Sequence, residues 1–290
     1  MHACKLCDRS FPTCSGLGGH MSISHPKNGT PHSGLAKLKG VWETLTMEER
    51  ILKSTKIRDA RCCGVDSSII TEFQRQVIFG SLLGDMSITK HKHNTPYVDH
   101  SINLPRIRIL HSSKQKDYVR WKYEILISIA RTEPYEILQV GGFGDGSYSC
   151  RFETLSLPCL NPIYDIVIGE SGKKHISQEW LDQITDPIAL ATWFMDDGSR
   201  GGGRGFYPML SLGLTTDEEM FILQEWLIDI WELRTNYRRI KTGYNDNTKV
   251  NLRIFPKDIE KFRQLIEPYI IPSMRYKIDP SISYKECVCT

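Results

Sequence analysis

The sequence predicts an α+β protein: two pseudo-symmetric αββαββα repeats with antiparallel sheets, preceded by a small ββα unit. Three observations predict it. A nonamer of large apolar residues closing on an acid occurs twice, as IFGSLLGDM at Ile78 to Met86 and LATWFMDDG at Leu190 to Gly198. The stretches behind the two copies repeat strand and helix patterns in the same order, as internal duplication requires. At the start of the chain, Cys4, Cys7, His20 and His25 fall in the spacing C-x2-C-x12-H-x4-H.

Taking the elements in order, residues 1–26 form the first unit. Two thiolates on a turn and two imidazoles about one helical turn apart can close a tetrahedral zinc site, and Phe11 and Leu17 stand at the core positions of a ββα finger. The metal would be structural Zn²⁺, since all four positions are filled by protein. The helix offers Thr13, Gly16 and Gly19 at the base-reading positions. These side chains are short or absent, so weak sequence readout is expected, with His2, Lys5 and Arg9 available to phosphate. SGLGGH resembles the helix of plant-type QALGGH fingers.

Residues 27–68 read as a basic linker. It opens on the turn-rich PKNGTPHSG, and Thr46 with Glu49 forms a capping box for a helix over about 46–61 that carries Arg50, Lys53, Lys56, Arg58 and Arg61. Residues 1–65 hold ten Lys and Arg against five Asp and Glu, while the whole chain carries only +3. Positive charge is therefore concentrated in the N-terminal arm. Such an arm suits a phosphate backbone, and Arg50, Lys53 and Lys56 are candidate DNA contacts.

The first repeat covers 69–182 and the second 183–290. Thr71 with Gln74 offers the first motif helix a capping box, and Thr185-Asp186-Pro187 gives the second a capping residue and a proline in its first turn. Each nonamer has a small residue at its third position, Gly80 or Thr192, and its acid at the eighth, Asp85 or Asp197. Small residues let two helices touch closely. Two such helices side by side would deliver both acids to one spot, and that spot would bind metal. Gly144-Asp145-Gly146 has similar letters but follows no apolar helix, and reads as a hairpin turn.

Behind Asp85 come a strand at Arg106 to Leu110, a helix from Ser113 to Ala130, a Gly-rich turn near Gly144 and a strand at Ser149 to Thr154. Behind Asp197 come a strand at Pro208 to Leu212, a helix from Asp217 to Trp231 opened by Thr216 and Glu219, a turn at Gly243 to Asn247 and a strand at Val250 to Phe255. Alternation in Arg106-Ile107-Arg108-Ile109 and Asn251-Leu252-Arg253-Ile254 puts aliphatics on one sheet face and polar groups on the other. A polar, partly basic open face suits the DNA major groove. Arg106, Arg108 and Arg253 are the candidate contacts. Trp193, Trp226 and Trp231 read as helix packing, and Pro268, Tyr269 and Met274 as core and turn residues.

Both nonamers resemble the signature of the LAGLIDADG homing endonucleases, in the single-chain form with two motifs. Met86 departs from it, standing where a final glycine is usual. The resemblance implies saddle-shaped sheets straddling a long, asymmetric double-stranded DNA target in consecutive major grooves, with the protein a monomer. It implies that Asp85 and Asp197 hold catalytic Mg²⁺ and that cutting leaves short 3′ overhangs. It also implies a basic residue near each metal site, and Lys174 and Lys277 are the positions that match. Two rival readings follow from other classes: an intron RNA maturase, which would make intron RNA a partner, and a non-catalytic DNA-binding regulator. Both acids are present, which argues against the regulator.

Composition agrees: 40% hydrophobic residues and modest net charge indicate a globular chain. No signal peptide and no membrane-length apolar run stand in it. Nine cysteines show no disulfide framework once Cys4 and Cys7 are assigned; vicinal Cys62-Cys63 and Cys287-Val288-Cys289 could bind metal or cross-link, yet each pair lacks a further local His or Cys partner. Reduced thiols in an intracellular protein are expected, without membrane association.

Overall fold

The structure is a computed structural model that describes residues 2–3, 10–11, 46, 70–90, 104–140, 146–201, 205–213, 215–241 and 248–284. The four expected zinc ligands, the basic helix with Arg50, Lys53 and Lys56, and the turns at Gly144 and at Gly243 to Asn247 lie outside the described residues. Of the N-terminal unit, β1 (His2–Ala3) and β2 (Ser10–Phe11) are described and pair antiparallel. This hairpin belongs to one compact unit, Met1–Cys63 with His93–Ile102; the elements below belong to the other.

The second unit reads helix, two strands, helix, two strands, helix, and then reads so again. In the first repeat these are α1 (Glu72–Leu83), β3 (Ser87–Lys90), β4 (Pro105–Ser112), α2 (Lys116–Ile125), β5 (Tyr135–Leu138), β6 (Tyr148–Glu153) and α3 (Asn161–Val167). The short α4 (Gln178–Leu181) leads into the second: α5 (Pro187–Asp197), β7 (Gly198–Ser199), β8 (Met209–Leu212), α6 (Asp217–Trp231), β9 (Thr235–Lys241), β10 (Thr248–Ile254) and α7 (Ile259–Ile266). The two sheets have matching antiparallel orders, β3-β4-β6-β5 and β7-β8-β10-β9.

The start signals of the two repeats have their hydrogen bonds. Thr71 Oγ1 accepts from the Gln74 amide at 3.2 Å while Gln74 Oε1 accepts from the Thr71 amide at 3.0 Å. Asp186 Oδ1 accepts from the Ile188 amide, with Pro187 following as the first helical residue. Thr216 and Glu219 form the same box at α6. α1 is buried on nearly all sides from Val77 to Leu83, and α5 from Ile188 to Asp196, which is the pattern of a core helix.

α1 and α5 lie directly against each other at Gly80. A Cβ built there would stand 2.6 Å from Ala189 Cα and closer still to Ala189 O and Thr192 Oγ1. Only a residue without a side chain allows that approach. Gln76, buried in α1, secures the entry to α5: its Nε2 donates to Gln183 O at 2.8 Å, and its Oε1 accepts from the amides of Thr185 and Asp186.

β4 alternates as expected, burying Ile107 and Ile109 while Arg106 and Arg108 face outward. In the second sheet Leu210, Leu212, Val250, Leu252 and Ile254 turn inward, while Asn251 is half-buried and Arg253 exposed on the other face. α2 packs on β4 and β6, and α6 on β9. Trp193, Trp226 and Trp231 are buried, and Met274 with them.

Two expectations are corrected. The helix expected from Ser113 to Ala130 is a 3-10 turn at Ser113–Gln115 followed by α2, which stops at Ile125. Gln74 Nε2 takes the Ile125 carbonyl at 2.7 Å, and Ala130 bridges to Thr154, so the chain is drawn toward β6. The two acids are also unequal in backbone: Asp197 ends its helix, whereas α1 closes at Leu83 and Asp85 sits in the turn beyond. Met86 explains the difference. It is fully buried, and its amide returns to Ser81 O at 3.0 Å, so the chain turns inward where a glycine was expected.

Candidate active site at the paired helix ends

Because α1 and α5 run side by side, their C-terminal ends emerge together. Asp85 and Asp197 line one cleft of about 440 Å³, shared with Lys173, Lys174, Lys249, Ser211, Thr215 and Glu219. Burial, then the charges of Asp85 and Asp196, push the Asp197 carboxyl up to about 7. That crowding is the state a bound cation relieves.

Lys174 and Lys277 both reach these helix ends. Lys174 Nζ donates to Leu82 O at 2.7 Å and Gly84 O at 2.9 Å. Lys277, in the 3-10 turn Pro272–Lys277, donates to the carbonyls of Phe194, Met195 and Asp196, at 2.5 Å for Met195. The last carbonyls of a helix carry partial negative charge and lack partners within it, so an ammonium is favourable there. Burial lowers both lysines, Lys277 to about 8, against the opposing pull of the acids.

One corner of the site is a polar cluster that the sequence reading did not find. Asp196, beside Asp197 in the motif, is buried, and its Oδ1 accepts from the fully buried Lys122 of α2 at 2.6 Å. Lys122 also faces His111 Nε2 at 3.4 Å, and His111 Nδ1 stands 3.5 Å from Asp85 Oδ2. Asp196 Oδ1 lies 3.5 Å from the same Nε2, so the imidazole stands between the two carboxylates with the Lys122 ammonium beside it. Burial, followed by the charge of Lys122, pushes His111 down to about 3, which keeps the ring neutral. A histidine at the buried β4 position after Ile107 and Ile109 was the signal available in the sequence. The close approach also needs Gly84, where a Cβ would sit 2.9 Å from Asp196 Oδ2.

The donor set suits a hard divalent cation. The acids that line the cleft offer carboxylate oxygens, and oxygen ligands are what such ions take. Among the described residues Asp85, His111 and Asp196 also converge within 4.8 Å. Lys122 balances the charge of Asp196 there, and His111 stands between Asp196 and Asp85.

Arg106 and Arg108 stand on the open face of the first sheet, both paired with Glu153. Burial alone would raise Glu153, but the Arg108 hydrogen bond and the nearby arginines outweigh it and hold the carboxyl below its ordinary range. Arg253 is exposed on the second sheet, near Asn236 and Arg238. Among the described residues no helix is long and apolar enough to cross a membrane.

Residues 75–262 match the model of the LAGLIDADG DNA endonuclease family, and residues 1–28 match a C2H2-type zinc finger. Protein RecA of Mycolicibacterium flavescens is 31% identical over 223 residues, which cover 73% of this chain and 47% of that protein. The chain thus spans about half the length of that curated relative. A probable intron-encoded endonuclease 1 of Wickerhamomyces canadensis is 25% identical over 214 residues, covering 72% of this chain and 85% of that one. Among solved structures, the homing endonuclease I-WcaI bound to its DNA recognition sequence superposes with a TM-score of 0.59 at 23% identity, over 72% of this chain and 86% of that one. With its doubled motif, matched sheets and paired helix ends, the chain belongs to the LAGLIDADG DNA endonuclease family.

Proposed function

We infer that this protein is a site-specific homing endonuclease that cuts both strands of a long, asymmetric DNA target and leaves short 3′ overhangs. One observation carries the reading: two motif acids, Asp85 and Asp197, meet in one cleft at the ends of packed helices, each end held by a lysine. The polar faces of the two sheets would lie in successive major grooves, with Arg108 and Arg253 among the contacts. The acids would then stand at the intervening minor groove.

Asp85 and Asp197 would hold Mg²⁺, which when bound lowers the pKa of a water and stabilises charge on the scissile phosphate. His111, with Nδ1 3.5 Å from Asp85 Oδ2, would help to orient that carboxylate. Lys174 and Lys277 place positive charge beside the acids, where the phosphate arrives. Cys4, Cys7, His20 and His25 would close a structural Zn²⁺ site in residues 1–26. The basic linker of residues 27–68 would follow the phosphate backbone before the repeats at 69–182 and 183–290. The protein would act as a monomer inside the cell, since both half-sites reside in one chain.

The test is incubation of the purified protein with a randomised duplex library, with Mg²⁺ or with a chelator. Recovery of a defined family of cleaved duplexes only when Mg²⁺ is present supports the reading. No cleavage of any member, under conditions where the protein is folded, contradicts it.

A further inference from the structure

The open faces of the two sheets are built from different chemistry, and the difference centres on Glu153. Register pairs Arg108 with Glu153 directly across β4 and β6. Glu153 Oε1 accepts from Arg108 Nε at 2.9 Å, and Oε2 accepts from Arg106 Nη1 at 3.1 Å. Arg151, the third guanidinium near this carboxylate, reaches Oε1 with Nη2 at 4.0 Å while its Nε donates to Tyr135 Oη at 2.7 Å.

In the second sheet the pairing of β7, β8 and β10 puts Met209 at the place of Arg108 and Arg253 at the place of Glu153. Among the described residues no carboxylate is paired with the arginine there.

Arg106 and Arg108 are not equivalent. The Arg106 side chain is 16% exposed, so little of it is open to a ligand. Arg108 is 42% exposed and is held by its inner nitrogen. Among the described residues no side chain engages its Nη1 or Nη2, so the outer fork of the guanidinium faces outward in a fixed orientation. A preset guanidinium loses little freedom on binding. In the major groove its fork matches the O6 and N7 acceptors of guanine, the contact by which arginine most often distinguishes a base.

We propose that Arg108, oriented by Glu153, reads one guanine in the half of the target beneath the first sheet, while Arg106 serves to balance Glu153 and contacts no base. The proposal rests on the reading of the sheets as the DNA-facing surface. It names a positioning residue, Glu153, whose own charge would otherwise oppose binding to phosphate.

The experiment compares the duplexes captured and cut by the wild type and by four variants of the full chain, from one randomised library, with thermal melting as the folding control. For Arg108→Gln and Arg108→Lys, guanine preference falls roughly tenfold or more at one position and persists elsewhere. The lysine variant keeps the charge without the fork, so it separates base reading from phosphate attraction. Glu153→Gln lowers preference at that same position while tightening binding to unrelated duplexes, an outcome that a purely structural role would not give. Arg106→Gln leaves every base preference in place. Uniformly weaker binding by the Arg108 variants with all preferences intact would overturn the proposal and make Arg108 a phosphate contact. A wild type that selects no duplex at all would instead overturn the endonuclease reading, and this proposal with it.

Discussion

His111 of β4 and Leu212 of β8 occupy matched places in the two sheets, so among the described residues one motif acid, Asp85, has an imidazole beside it where the matched place holds a leucine. Asp85 meets His111 Nδ1 at 3.5 Å. The two halves of the active site are therefore chemically unequal, although their backbones repeat.

His111→Leu, which copies the second repeat into the first, should uncouple the two strand cuts. Loss of orientation at a reacting centre can cost about a hundredfold, so the strand served by Asp85 should be cut far more slowly. On a supercoiled plasmid carrying the target, open circles should accumulate ahead of linear product. Synchronous linearisation at the wild-type rate would show that His111 does not orient the acid.

Gly80→Ala should destabilise the chain, because the added methyl has no room against Ala189 and Thr192. Overpacking of this kind costs ~1–3 kcal/mol, visible as a melting temperature several degrees lower. An unchanged melting temperature would mean that α1 and α5 can separate without loss.

Glu153→Gln should reduce stability at neutral pH by about 1–2 kcal/mol, a figure discounted because Arg108 is partly open to water. The folded carboxyl is held below its unfolded value, so its contribution is present above the ordinary carboxylate range and is lost as pH falls. The stability gap between wild type and variant should therefore close as the pH is lowered through about 4. A gap that stays constant with pH would show that the ion pairs with Arg106 and Arg108 contribute nothing.

Replacing Arg50, Lys53 and Lys56 together with Gln should weaken target binding and flatten its salt dependence. Each lost phosphate contact reduces the slope of log affinity against log salt by roughly 0.9. A salt titration of the two proteins on one duplex measures this, and identical slopes would remove the basic linker from the DNA interface.

What the sequence made legible was local. The capping residues Thr71 and Thr216, the small Gly80 and Asp197 at its helix end are fixed by short spacings and stand where those spacings put them, whereas Asp85 lies in the turn beyond its helix. The resemblance added Lys174 and Lys277, which lie 92 and 83 positions from the farthest carbonyls they bond. The rest depends on pairs that meet only in three dimensions. Lys122 looks like an ordinary helix charge until Asp196, 74 positions on, is seen beneath it. Gln76 shows no sign that it will secure the start of a helix 110 positions later. Glu153 reads as a solvated strand residue until register sets it opposite Arg108. Buried polar groups must find partners, but the one-dimensional pattern does not say which.

The most direct measurement is cleavage and binding by Asp85→Asn and Asp197→Asn on the target selected by the wild type. Each change keeps the shape of the side chain and removes one charge from the crowded cleft, so specific binding in a gel shift should persist. Double-strand cleavage in Mg²⁺ should be lost in both. Wild-type cutting by either variant would contradict the assignment of the two helix-end acids as the catalytic pair.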